Sequence, residues 1–276
     1  MAARRRPNRG DSMKLPSLST VIAAAVLTAS PLGAQQFQYA PGTAQYRLTA
    51  VNKLTQEAQG QKVEQEVTSE QKLTVILGRQ GRDTLSFAMT LDSAKVQSPG
   101  GPPPDLSALI GLKVTGALSP FGVVYVVKAP EGSASPMIGP LADEMSRFLP
   151  RLRPGLTVGT TWTDTTAGKV NQMGISLDRT VIATSRVVGD TTYQGERAWR
   201  IERATQTTFA GTGTSEGQPL TMEGSSKGTD NLFLARNGIY LGGLMNNAAT
   251  IKVTLVATGM EIGLTQKQNT TISRVK

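Results

Sequence analysis

The sequence predicts a mainly β (α+β) protein: a strongly curved antiparallel sheet or half-barrel with one amphipathic helix packed on its concave side. Three observations predict it. Long stretches alternate apolar and polar residues with period two, as strands with one wet face do. Gly, Pro and Asn-Gly turns punctuate those stretches. The period changes to helical spacing in one convincing place, where Leu141, Met145, Phe148, Leu149 and Leu152 follow one another.

The first 34 residues read as a leader. Lys14 supplies a positive start, Val21 to Leu27 is an unbroken apolar run, and Pro31 and Ala34 mark the end and the cleavage position. A spanning helix needs about 18 apolar residues, and this run is far shorter, so delivery across a membrane is expected rather than anchoring in it. Leu32 is larger than the small residue usual three places before a cut, and the cut is expected near Ala34. Met13 is a candidate true start, the residues before it being arginine-rich. No Cys follows the apolar run, which argues against a lipid-anchored product. The expectation is an exported domain over 35–276, periplasmic or extracellular.

Within that domain, Tyr46, Leu48 and Ala50 alternate with polar neighbours. Val63, Gln65, Val67, Ser69, Gln71, Leu73, Val75 and Leu77 then take one side of a long strand whose other side carries Lys62, Glu64, Glu66, Glu70 and Lys72. The turn Gly78 to Gly81 leads to Leu85, Phe87, Met89 and Leu91, again alternating, and a hairpin is expected. Ser98 to Pro104 breaks the pattern, Asp105 caps a short helical turn to Ile110, and a strand pair turning at Ser119-Pro120 ends in "FGVVYVV". After a second loop comes the expected helix, with Pro140 in its first turn and Pro150 stopping it. Strands resume around Trp162, Leu177 to Val188, Trp199 to Phe209, Leu220 to Met222 and Leu232 to Ala235. Asn237-Gly238 is the strongest hairpin signal, because a type I′ turn needs positive φ at both central residues. The organisation is therefore a strand set at 43–128, a loop and helix at 129–153, and a strand set at 157–274.

Composition narrows function. Residues 1–34 carry five of the 29 basic and one of the 20 acidic side chains, so the remainder stands at +5 rather than +9. Its basic residues are scattered and its aromatics few, unlike a nucleic-acid surface. The one small basic cluster, Arg147, Arg151 and Arg153, trails the expected helix, where cations complement the dipole. With no Cys, no disulfide framework exists. With no His, the commonest general base and the commonest nitrogen ligand of zinc, copper and iron are missing. No cofactor or metal is expected.

The short motifs dissolve in context. "GTSEG", Gly213 to Gly217, matches a nucleophile elbow, but that motif needs a strand-to-helix turn and a histidine base, and here Ser215 reads as a turn residue. In "SEQK", Ser69 and Lys72 fall on opposite faces of an alternating strand. Asp143 and Glu144 are adjacent and diverge, and the glutamates of the long strand face its lysines. Asp164, near Trp162, would be the first acid to consider. The expectation is no enzyme. Methionines at 89, 137, 145, 173, 222, 245 and 260 lie in or beside apolar segments and suit either a core or an adaptable cavity.

This combination of leader, antiparallel strands, one short amphipathic helix and no catalytic hardware resembles the half-barrel carriers of the bacterial envelope, the Lol-type lipoprotein carriers and related mycobacterial lipid carriers. The resemblance is of organisation over residues 43–274, and the chain departs from it in having fewer helices for a lid. It implies an apolar concavity that holds acyl chains, lined here by Leu73, Val75, Phe87, Met89, Leu91, Met145 and Phe148. The partners implied are a lipid or other hydrophobic ligand, or an envelope protein, with no nucleic acid and no transmembrane anchor after cleavage. The alternative is an envelope structural or interaction module whose sheet is filled by its own side chains. A carboxylate-dependent hydrolase ranks last.

Overall fold

Eleven strands follow one another in the computed structural model, which describes residues 37–99, 105–128, 147–172, 175–215 and 217–275. They are β1 (Gly42–Ala58), β2 (Gln61–Arg79), β3 (Leu85–Gln97), β4 (Lys113–Leu118), β5 (Val124–Lys128), β6 (Thr161–Gln172), β7 (Ile175–Tyr193), β8 (Glu196–Ser215), β9 (Gln218–Ala235), β10 (Tyr240–Leu255) and β11 (Met260–Val275). All lie in one antiparallel sheet in the order β5-β4-β3-β2-β1-β11-β10-β9-β8-β7-β6. Two meanders are thus joined where the first strand pairs with the last, Gln45 opposite Val275 through Ala58 opposite Ile262.

The expectation of an α+β fold with a concave-side helix is corrected. No α-helix is present among the described residues; the helical content there is one 3₁₀ turn, Ser107–Leu109. Of the expected helix, Leu141 and Met145 lie outside the described residues, and Arg147 to Leu152 is turn and extended chain. The apolar spacing at Phe148, Leu149 and Leu152 has another cause. All three are buried in the main core, inserted by irregular chain in which Pro150 O accepts from the Tyr39 hydroxyl at 2.7 Å. Arg151 and Arg153 are engaged by a strand: Arg153 Nη2 donates to Asp164 Oδ1 at 2.6 Å and to Thr163 O at 3.0 Å, and Arg151 Nη1 to Thr166 Oγ1 at 3.4 Å. They pin this segment to β6.

That same segment reveals how far the sheet curls. Eleven strands laid flat at about 4.8 Å spacing would put the outer two about 48 Å apart. Yet Leu152 N–H donates to Phe121 O at 2.7 Å, in the turn between β4 and β5, while the next residue, Arg153, holds β6. Adjacent Cα atoms are 3.8 Å apart, so both edges of the sheet reach one short piece of chain at this end. The sheet wraps nearly round on itself, and Arg147 to Leu156 fills the gap. No strand pairing joins β5 to β6 among the described residues.

Turns and bulges follow local chemistry. Among the described residues, the hairpins with positive φ at both central residues are Gln59-Gly60 (51° and 74°) and Gln194-Gly195 (52° and 78°). Asn237-Gly238 is not of this type, which corrects the sequence expectation. Only Gly238 has positive φ, at 83°, and four residues separate β9 from β10, the loop closing through Ala235 N–H to Ile239 O at 2.8 Å. Bulges at Lys72/Leu73, Ala117/Leu118, Val187/Gly189 and Tyr240/Gly242 bend the strands. Gly242, at φ 115°, is required there, since a Cβ would run into Ile272 O. The expected turn near Asp105 forms as the 3₁₀ segment Ser107–Leu109, but its N-cap is Leu106 rather than Asp105; Ser107 N–H donates to Asp105 Oδ1 at 2.9 Å from one residue upstream.

Candidate functional site

Each long strand has two unlike parts. At the end carrying the β2–β3, β7–β8 and β9–β10 turns, here the base, the inner positions are apolar and packed. Tyr46, Leu73, Val75, Leu77, Phe87, Met89, Leu91, Val114, Leu118, Leu232 and Ile272 meet Phe148, Leu149, Leu152 and Leu156 of the crossing segment in one core. Phe148 stands edge-on to Tyr46 and Tyr240, with ring centroids 5.0 and 5.7 Å apart. Burying each aliphatic side chain contributes about 1.5–3 kcal/mol, so the base carries the stability. Of the predicted lining residues, Leu73, Val75, Phe87, Met89, Leu91 and Phe148 are brought together here and are buried. Met145 lies outside the described residues. The six touch one another's cluster and the crossing segment.

Toward the opposite end, where the β1–β2, β6–β7, β8–β9 and β10–β11 turns lie, the inner positions of β8, β9, β10 and β11 stay mostly half-buried while the outer ones are exposed. A flat two-sided sheet would expose both alike, so the difference marks this inner side as concave. Just beyond the core, one row of paired residues crosses seven of the strands: Trp162, Ser185, Arg203, Asp230, Met245, Thr270 and Ala50. Arg203 Nε donates to Asp230 Oδ2 at 2.6 Å, and Asp230 is only 7 % exposed. The next row is Asp164, Ala183, Thr205, Gly228, Asn247, Gln268 and Asn52. These rows form a polar belt above an apolar floor.

The belt holds unmet hydrogen-bonding capacity. Trp162 Nε1 and Asn52 Oδ1 are buried without a partner, as is the hydroxyl of Tyr240 in the floor beneath. Burial pushes that hydroxyl well above the usual tyrosine range, with Arg203 pulling it partly back and Asp230 among the charges that raise it. Burial likewise raises Tyr39 and Tyr46. Their hydroxyls are satisfied, by Pro150 O and Tyr240 O respectively, each at 2.7 Å.

Farther out the inner face turns apolar again. Phe209, Met222, Ile251, Val253, Ile262 and Leu264 occupy two adjoining rows, all half-buried and none a member of either core cluster. Phe209 lies over Gly224, its register partner, where a Cβ would meet the ring at 2.5 Å. At the same level of β6, β7 and β8 lies a depression of about 320 Å³, most of whose lining, Ala167, Lys169, Asp178, Thr180, Thr208 and Ala210, has the opposite strand parity to Phe209 and so belongs to the outer face. The outer face is ionic: Lys62 pairs with Glu64 at 2.7 Å, Lys53 with Glu66 at 3.1 Å and Arg47 with Glu70 at 3.3 Å. A lipid-facing barrel wall carries apolar side chains at such positions. No helix among the described residues is long and apolar enough to cross a membrane.

Sequence reasoning missed the belt, although a signal exists. Asp230 shares parity with Leu232 and Leu234, and Arg203 with Ile201, so each places a charge on an otherwise apolar side of its strand. Asp164, singled out as an acid, is the partner of Arg153. Ser69 and Lys72 do fall on opposite faces of β2, and Ser215 ends β8 beside its turn.

No family model and no curated protein matches the chain. Among solved structures, it is similar to one described as "Asymmetric conductivity of engineered proteins" (8 % identity, 83 % of this chain, 100 % of that chain, TM-score 0.28). It is also similar to a putative outer membrane lipoprotein-sorting protein domain from Vibrio parahaemolyticus (11 %, 83 % of each chain, 0.19). A third is a DUF1329 family protein from Desulfovibrio piger (10 %, 80 % of this chain, 83 % of that chain, 0.14). At these scores the likenesses carry no argument about this chain.

Proposed function

We propose that this is an exported envelope or secreted protein, cut near Ala34, that binds an amphiphile on the concave face of its curled sheet without chemical conversion. The reading rests on one observation: six apolar side chains, Phe209, Met222, Ile251, Val253, Ile262 and Leu264, line that face half-buried and outside both packed cores. An apolar wall with a few polar groups below it is the usual composition of a small-molecule site. The ligand-contacting surface is therefore placed on this outer band rather than on the base residues the sequence singles out, which are occupied with one another.

A fluorescent fatty acid tests the reading. Met222→Asp with Ile262→Asp is expected to abolish its binding while leaving the melting temperature within a few degrees of wild type, since neither side chain is in the base core. Mass spectrometry of protein purified without detergent is expected to find bound lipid. Failure of both measurements moves the assignment to the second reading, a structural or interaction module, which the self-filled base supports.

A further inference from the structure

The polar belt and the floor beneath it hold buried hydrogen-bond donors without partners. Asp230 is already engaged by Arg203 Nε; among the described residues no other hydrogen bond is made by that guanidinium, whose two Nη groups carry four further N–H donors. Trp162, 8 % exposed, offers an indole N–H with no partner, and Tyr240, 2 % exposed, an O–H with none. A buried polar atom left unmatched is costly, and an orphan indole N–H in the row of a buried ion pair, with an orphan hydroxyl in the floor beneath, points to a missing acceptor. Trp162 and Arg203 share a register row, two strands apart, and Tyr240 lies in the floor beneath, packed against Tyr46 and Phe148.

We infer that Arg203, Trp162 and Tyr240 form a subsite for an anionic, acceptor-only head group, a phosphate or carboxylate, on the amphiphile whose apolar part lies on the outer band. This deepens the proposed function and rests on it. Along β9 the band begins six residues from Asp230, at Gly224, and Met222 is eight away, or about 20–27 Å at strand rise. A long acyl chain running from the head group outward along β9 spans that distance. Charge-assisted donors favour phosphate or carboxylate over a hydroxyl, because the anion accepts several hydrogen bonds at once.

The experiment compares lysophosphatidic acid with the monoacylglycerol of the same acyl chain, both below their critical micelle concentrations, on the full-length protein. Wild type is expected to bind the phosphate about tenfold more tightly or better, and Tyr240→Phe and Trp162→Phe each to lose about five- to tenfold for it, the scale of one hydrogen bond to a charged group. Both substitutions are expected to weaken monoacylglycerol binding much less than lysophosphatidic acid binding. Arg203→Met should erase the preference. Without lipid, Tyr240→Phe is expected to melt at or above the wild-type temperature, because it removes a buried group that has no partner. A lower lipid-free melting temperature for Tyr240→Phe would mean that the hydroxyl is satisfied within the protein, and overturns the subsite. Equal binding of the two lipids by wild type overturns the subsite but leaves the proposed function standing; binding of neither overturns both.

Discussion

The base and the outer arms of this sheet are built from the same strands with the same period, yet they behave as different materials. In β9, Leu232 and Leu234 are sealed in the core, whereas Met222, on the same face of the same strand, is half open. In β10 the change runs from Tyr240, fully packed, to Ile251 and Val253. The difference is not in propensity, for Thr, Val and Ile recur throughout. It lies in what stands opposite. Phe148, Leu149, Leu152 and Leu156 close the base, and no such side chains from the described residues join the band. Alternation sets which face a residue takes; only a second layer decides how deeply it is buried.

Breaking the base should therefore cost far more than altering the arms. Gly242→Val is expected to have the largest effect, no soluble folded protein, because its Cβ would collide with Ile272 O and its φ of 115° disfavours a β-branched residue; expression followed by circular dichroism checks it. Next comes alkaline pH. Tyr39, Tyr46 and Tyr240 all sit in the base with hydroxyls raised above the unfolded value. The unfolded chain releases these protons first, so their contribution is intact below about pH 10 and is lost as pH rises beyond it. Each tyrosine then withdraws about 1.4 kcal/mol per pH unit, so urea melts at pH 11 should fall short of those at pH 9 by about 4 kcal/mol for the three. Equal midpoints at the two pH values would contradict their burial.

Leu232→Ala, at a position 1 % exposed, should lower unfolding free energy by about 3 kcal/mol in the same assay. Ile251→Ala in the arms sharpens the contrast: about 1 kcal/mol or less is expected, since a half-buried side chain loses only part of its transfer energy. Smallest of all, Lys53→Gln should shift the thermal melt by less than can be resolved, its pair with Glu66 being an exposed one at 3.1 Å. A Leu232→Ala effect no larger than that of Ile251→Ala would erase the distinction between the two regions.

Much of this fold was legible residue by residue. The β2–β3 hairpin and the closing strands follow the predicted alternation, because a period of two depends only on which face is wet, and the expected strand pair around Ser119-Pro120 forms. The helix misled for a physical reason. Leu-Phe-Leu spacing that suits a helix also suits irregular chain pressing several apolar groups into a cap, and spacing alone cannot separate them. The Asn-Gly turn misled differently, since the separation of β9 and β10 by four residues removed the need for positive φ at Asn237. For the site, Leu73, Val75, Phe87, Met89 and Leu91 were rightly grouped on one face, but as core. Arg203 and Asp230 were passed over because their pairing spans 27 positions.

By itself the sequence determined the strands, their faces and the absence of histidine and cysteine chemistry, since these depend on local pattern and composition. The tertiary structure decided the rest: that β1 and β11 join two meanders into one sheet, that the sheet curls until one short segment touches both edges, and that a buried ion pair faces its hollow. Those are long-range pairings, and no residue states its distant partner in its own neighbourhood.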